Sequence, residues 1–187
     1  MMHPMPAGSR TLRRRRRANP RGFTLIEAAL ATVIIGTGVL AIVFAQQTFH
    51  EQNGWAQRSA VAMRLAGEIR EMAINLPRHD PVTGTEYWGP EAGETMLLDW
   101  DDVDDFDGAV FSADIGNGPV NALRDPLFQF PGWSQRIEVV NVDPFDLATT
   151  LEDGESDMLR VTVFVQHQDA MALEPLEITR LTWIQPR

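Results

Sequence analysis

The sequence predicts an α+β fold, a long N-terminal α-helix packed on a C-terminal antiparallel β-sheet, and three observations carry that prediction. Residues Ala28 to Ala45 hold no charged side chain. Val61, Leu65, Ile69, Met72 and Leu76 then recur at spacings of four, four, three and four, the period of one helix face. Further along, Gln135 to Val142, Met158 to Gln166 and Leu176 to Ile184 read as strands between turn-forming segments.

The first helical half is defined by its flanks as much as by its interior. Before it lie Arg10, Arg13 to Arg17 and Arg21, with no acid among the first 22 residues. A bias of this kind keeps the leader in the cytoplasm and sends the remainder across the membrane. Phe23 to Ile26 extend the apolar run toward the leader, broken only by Glu27. At ~1.5 Å per residue, about 20 such residues cross a hydrocarbon core ~30 Å thick. An ordinary secretory signal also has a positive leader and an apolar run, but no Ala-x-Ala-like site with a clear loop follows this one, and the helical pattern continues past residue 50. Glu27 is the anomaly. A carboxylate four residues into a membrane segment costs on the order of several kcal/mol unless it is paired, so an acid here is a functional candidate; the plainer alternative is a side chain that snorkels to the interface.

The second half of the helix carries the Val61 to Leu76 face, with Arg58, Arg64, Glu68, Arg70 and Glu71 on other positions, and Pro77 ends the pattern. Uninterrupted from Phe23 to Leu76, such a helix would run ~80 Å. Residues 77–133 are rich in Pro, Gly and Asp and read as loops, with a short strand near Met96 to Leu98. In the run from Met158, Leu159, Val161, Val163 and Val165 alternate with Arg160, Thr162 and Gln166, which buries one face. The last run changes phase between Leu176/Ile178 and Leu181/Trp183, placing a bulge near Thr179 or Arg180. The organisation is therefore a leader (1–22), a spanning helix (23–45), an amphipathic half-helix (46–76), a loop-rich region (77–133) and a sheet (134–187). About 100 residues beyond the helix make one modest head domain.

The string GFTLIEA at residues 22–28, with basic residues before it and an apolar helix after it, resembles the class III signal of type IV prepilins and related pseudopilins. The resemblance covers residues 22 to about 45, with looser support to about 76. It implies a pilin-like fold and cleavage by a prepilin peptidase on the cytoplasmic side after Gly22. The same enzyme would methylate the new amine of Phe23. Glu27 falls on the family's invariant glutamate, understood to pair with the N-terminal amine of a neighbouring subunit as the filament assembles, so that each buried charge satisfies the other. Gly36 and Gly38 lie where pilin helices loosen, whereas the proline that often bounds that segment is replaced by Phe44. The implied partners are the peptidase, other pilin subunits through the N-terminal helix, and the inner membrane before assembly. The implied location is a single pass with a periplasmic head, then a pilus or pseudopilus. The acidic string after Leu98 resembles a segment of minor pilins of the PilV-like and mannose-sensitive haemagglutinin type. A pseudopilin of type II secretion is the alternative within the same machinery, and a single-pass membrane-anchored metal-binding protein or enzyme is the alternative outside it.

Composition narrows the chemistry of the head. All 16 basic residues are arginines and seven of them belong to the leader, so a processed chain keeps nine against 26 acids, a formal charge of −17. That balance argues against a nucleic-acid surface. No cysteine is present, so the head depends on its hydrophobic core or on a bound ion. Asp99, Asp101, Asp102, Asp104, Asp105 and Asp107 form the densest charge cluster. Asp102, Asp104, Asp105 and Asp107 are the candidate metal ligands, for calcium, which takes oxygen donors. An EF-hand in register with Gly108 is excluded, because Val103 would hold its first ligand position and Asp114 its twelfth. An irregular calcium site and a solvated acidic loop are the two readings left, and the solvated loop is the simpler.

No catalytic constellation is present. His50, His79 and His167 are scattered without HExxH spacing and are expected at the surface; His3 belongs to the leader. There is no GxSxG elbow, and Gly116-Asn117-Gly118 is a turn rather than a phosphate loop. The five tryptophans, Trp55, Trp88, Trp100, Trp133 and Trp183, are spread along the chain as core and interface anchors. The expectation is a structural subunit, not an enzyme.

Overall fold

The structure, a computed structural model, describes residues 22–82, 84 and 87–185. The arginine-rich leader before Gly22 lies outside the described residues. The chain divides into two compact units, residues 1–49 and 50–187, which share helix α1 (Leu25–Ala73).

In the first unit, α1 begins at a cap. The Thr24 hydroxyl accepts the Glu27 N–H at 3.3 Å and the Thr24 carbonyl accepts the Ala28 N–H at 3.1 Å, satisfying donors that a first turn leaves open. Helix then continues through Gly36 and Gly38 without a break. Thr32, Thr37 and Thr48 turn their hydroxyls back onto the carbonyls of Ala28, Val33 and Phe44 at 2.9, 3.0 and 3.1 Å. Each hydroxyl is thereby satisfied inside the helix, which is what an apolar solvent demands. Leu25, Ile26, Val33, Ile34, Ile35 and Phe44 are all exposed. Among the described residues α1 is the one helix long and apolar enough to cross a membrane.

The second unit is an antiparallel sheet covered on one face by the second half of α1. The strands are β1 (Val110–Ser112), β2 (Trp133–Asp143), β3 (Asp146–Thr150), β4 (Leu159–His167) and β5 (Leu176–Gln185). Their order is β1-β2-β4-β5, and β3 folds back on the far end of β2 as a hairpin. The expected runs 135–142, 158–166 and 176–184 are thus β2, β4 and β5, each in place to within two residues. Alternation along β2 and β4 puts Ile137 opposite Val163 and Val139 opposite Val161, all buried, against Leu65, Ile69 and Met72 of the helix. The buried helix face also takes Ala62, Ala66 and Ala73, with Val61 half-buried at its edge and Leu76 half-buried just beyond the helix end at Ala73.

Three details depart from the sequence reading. Met96 to Leu98 form a turn, not a strand; the short strand is β1, whose Phe111 is buried. The irregularity in β5 falls at Ile178, since Val165 pairs with Thr179 and Gln166 with Glu177, one residue before the expected place. The hairpin strand β3 is wholly exposed and so carries no apolar alternation to reveal it.

One polar side chain sits at the centre of the core. Gln135 is fully buried, accepting the Val120 N–H at 2.7 Å and donating to the carbonyls of Leu65 at 2.8 Å and Val120 at 3.1 Å. A strand, the helix and the loop before β2 meet on that amide, and each contact meets a donor or acceptor that burial would otherwise strand. On the opposite face of the sheet, Phe164 lies between the guanidinium groups of Arg136 and Arg180, 3.8 and 4.6 Å from its centroid.

Candidate functional site

Two groups of residues carry candidate chemistry, one in each unit. In the first, Gly22 and Phe23 precede the cap of α1 and both are exposed. Glu27 stands in the first helical turn, exposed, and its carboxylate has no ion-pair partner among the described residues. A negative charge at a helix N-terminus interacts favourably with the helix dipole, which accounts for an acid at that turn though not for one beside so much apolar surface.

The second group is built by the acidic loop. Its segment reads Asp-Trp-Asp-Asp-Val-Asp-Asp-Phe-Asp from Asp99, with Trp100, Val103 and Phe106 three residues apart. Residues 104–106 form a 3-10 turn, which Val103 precedes as its N-terminal flank and Phe106 ends. Val103 and Phe106 are buried, and Trp100 packs edge-on against Phe106 with centroids 5.1 Å apart. The loop is pinned by its backbone as well: the N–H groups of Val103 and Asp104 donate to the carbonyls of Pro77 and Arg78 at 3.0 and 3.3 Å.

The acids between these anchors are consequently drawn inside. Asp102, Asp104 and Asp105 are 1 %, 2 % and 1 % exposed, which overturns the reading of a solvated loop. Asp105 Oδ2 accepts the N–H groups of Asp101 and Asp102 at 3.0 and 3.3 Å, while Asp102 Oδ1 accepts the Asp105 N–H at 3.2 Å. Asp105 Oδ1 and Asp104 Oδ1 are buried with no hydrogen-bond donor. Carboxylate oxygens of Glu91, Asp102 and Asp105 lie within 4.8 Å of one another, and those of Glu94, Asp101 and Asp105 form a second such group. Asp105 belongs to both.

Of the four candidate ligands, Asp102 and Asp105 share one group of oxygens, while Asp104, though in contact with Asp102, and Asp107 are engaged elsewhere. Asp104 Oδ2 is 3.2 Å from Nδ1 of His79, whose ring stands 5.8 Å from Trp88. Asp107 accepts the Val139 N–H at 2.8 Å and the Trp88 Nε1–H at 3.2 Å, a bracket between loop and sheet. The histidines are not all on the surface: the His79 side chain is 8 % exposed and that of His167 15 %. Glu91, Glu94 and Asp101 join the cluster unforeseen. Asp101 is in the acidic string itself, whereas Glu91 and Glu94 arrive through a separate turn closed by their own N–H and carboxyl groups, including Glu91 N–H to Glu94 Oε2 at 3.0 Å.

Crowding and burial govern protonation here. Loss of hydration, then contact with the Asp104 carboxyl, pushes Asp102 up to about 9. Asp105 is also raised by burial, against the hydrogen bonds from Asp102 and Asp101 that favour its charged form. At Glu94 the hydrogen bond from the Glu91 N–H lowers the value, but desolvation, the Glu91 carboxyl and the charges of Asp105 and Glu91 together outweigh it, to about 7. Concentrated carboxyl oxygen of this kind can hold protons or a hard cation. No family model, curated protein or solved structure matches the chain.

Proposed function

We propose that the chain is a minor type IV pilin or pilin-like structural subunit, processed by a prepilin peptidase after Gly22 and assembled through the first half of α1. The observation that carries this reading is the conjunction of an acid without an ion-pair partner among the described residues, Glu27, with an apolar half-helix whose large side chains are exposed among them. An apolar surface of this extent requires a bilayer or other helices as its solvent. A membrane anchor would satisfy the apolar residues but would leave Glu27 at a cost. Cleavage after Gly22 supplies what is missing: a cationic amine at Phe23, which in an assembled filament neutralises the carboxylate of a neighbour. A head of one sheet backed by the second half of the helix suits a subunit that presents its outer surface while its helix is packed among others.

Glu27→Ala tests the reading directly. The variant keeps the span hydrophobic, so membrane insertion should equal wild type while incorporation into sheared filaments falls at least tenfold. Incorporation at the wild-type level would remove the role assigned to Glu27. The same N-terminal chemistry serves a pilus and a type II secretion pseudopilus, and the set of neighbouring genes distinguishes the two.

A further inference from the structure

We propose that the acidic loop of the head is a calcium site, with Asp105 at its centre, Glu91 and Asp102 on the buried side, and Glu94 and Asp101 on the solvent side. The geometry has three parts. Each trio of oxygens lies within 4.8 Å pairwise. Two ligands on opposite sides of one calcium ion stand about 4.6–5.2 Å apart, so every pair within a trio fits around a common ion; calcium accepts an irregular set of oxygens, whereas magnesium demands near-ideal octahedral geometry and keeps its waters. The second part is Asp105 Oδ1. It belongs to a side chain 1 % exposed, its companion oxygen is already engaged by two N–H groups, and no donor reaches it. A buried carboxylate oxygen without a partner is costly, and within a group of other carboxylates only a cation or a proton satisfies it. Third, there is a route from outside, since Asp101 is exposed and Glu94 half-buried on the rim.

Selection among cations follows from the donors. All five are carboxylates, hard oxygen ligands, without the sulfur or imidazole that favours zinc or copper. His79 is held by Asp104 and takes no part. The two acids of the 91–94 turn and the three of the 101–105 segment come from stretches separated in sequence, so one ion would cross-link two loops in a head that has no disulfide. The inference concerns the head alone and stands whichever filament the helix enters.

The test uses the full chain in detergent micelles, first stripped with a chelator and then given calcium chloride or magnesium chloride at equal concentration. Calcium should raise the thermal midpoint by on the order of 5 °C, since a ligand bound only by the native state shifts unfolding upward. Magnesium should give less than half of that shift. Asp105→Asn should abolish the response, while Asp153→Asn, on an exposed acid elsewhere, should keep it. Should Asp105→Asn fail to fold, Glu94→Gln at the half-buried rim serves in its place, with calcium affinity reduced at least tenfold by titration calorimetry. An unchanged wild-type midpoint, an equal response to magnesium, or a full response in both cluster variants would each overturn the proposal.

Discussion

Single side chains decide how this head coheres, and Gln135 is the clearest case. Its two donors and one acceptor are all engaged in a site closed to water. Replacing it by leucine keeps much of the volume and removes every one of those bonds. The Val120 N–H would then be buried without an acceptor, so Gln135→Leu is expected to destabilise the head by about 1–3 kcal/mol. Chemical denaturation checks this, and a loss below ~0.5 kcal/mol would mean that water replaces the amide. The sequence does not disclose the role: Gln135 opens a predicted strand and its polarity suggests an outward position. The same limit applies to His79, whose neighbours Asp104 and Trp88 are brought to it only by the fold. Glu27 is the contrary case, because the role proposed for it rests on its neighbours in the sequence and not on the fold of the head.

At the scale of elements, periodicity made α1, β2, β4 and β5 readable, since each hides one apolar face against another. β1 and β3 escaped because the first has three residues and the second buries none. The acidic loop was misjudged for a different reason. Among its charges stand Trp100, Val103 and Phe106, three residues apart, and these apolar anchors are the sign in the sequence that the segment docks inward. Glu91 and Glu94 left no comparable sign, as their nearness to Asp105 is produced by tertiary docking. The buried acids also set a pH dependence. Asp102 ionises near 4 when unfolded and at about 9 in the fold, so the folded state binds its proton more tightly. Its contribution is complete below about pH 4 and is lost as pH rises through about 9. With chelator present, the thermal midpoint should therefore fall as pH rises from about 5 to about 9, and Asp102→Asn should flatten that decline. An equally steep decline in the variant would assign the effect to other acids.

For the molecule as a whole, the two units answer to different solvents. The first exposes an apolar helix, and the second an acidic surface around a closed core. The proposed cleavage after Gly22 would join the two requirements, and under it mass spectrometry of the mature protein should find methylated Phe23 at its N-terminus. An intact leader in cells with active peptidase would sink the cleavage proposal. A final consequence concerns force. As the filament subunit proposed above, held by its helix and loaded at its head, the chain would have to transmit tension, and within the head the Leu65 carbonyl is tied to β2 by the Gln135 amide. Sliding the helix along the sheet would have to break that tie and shear the Leu65, Ile69 and Met72 contacts in the same movement. Arg58 to Asp169 and Gln185 to the Ile74 carbonyl add further ties, so resistance to pulling is shared along the seam, a row of rivets rather than a hinge.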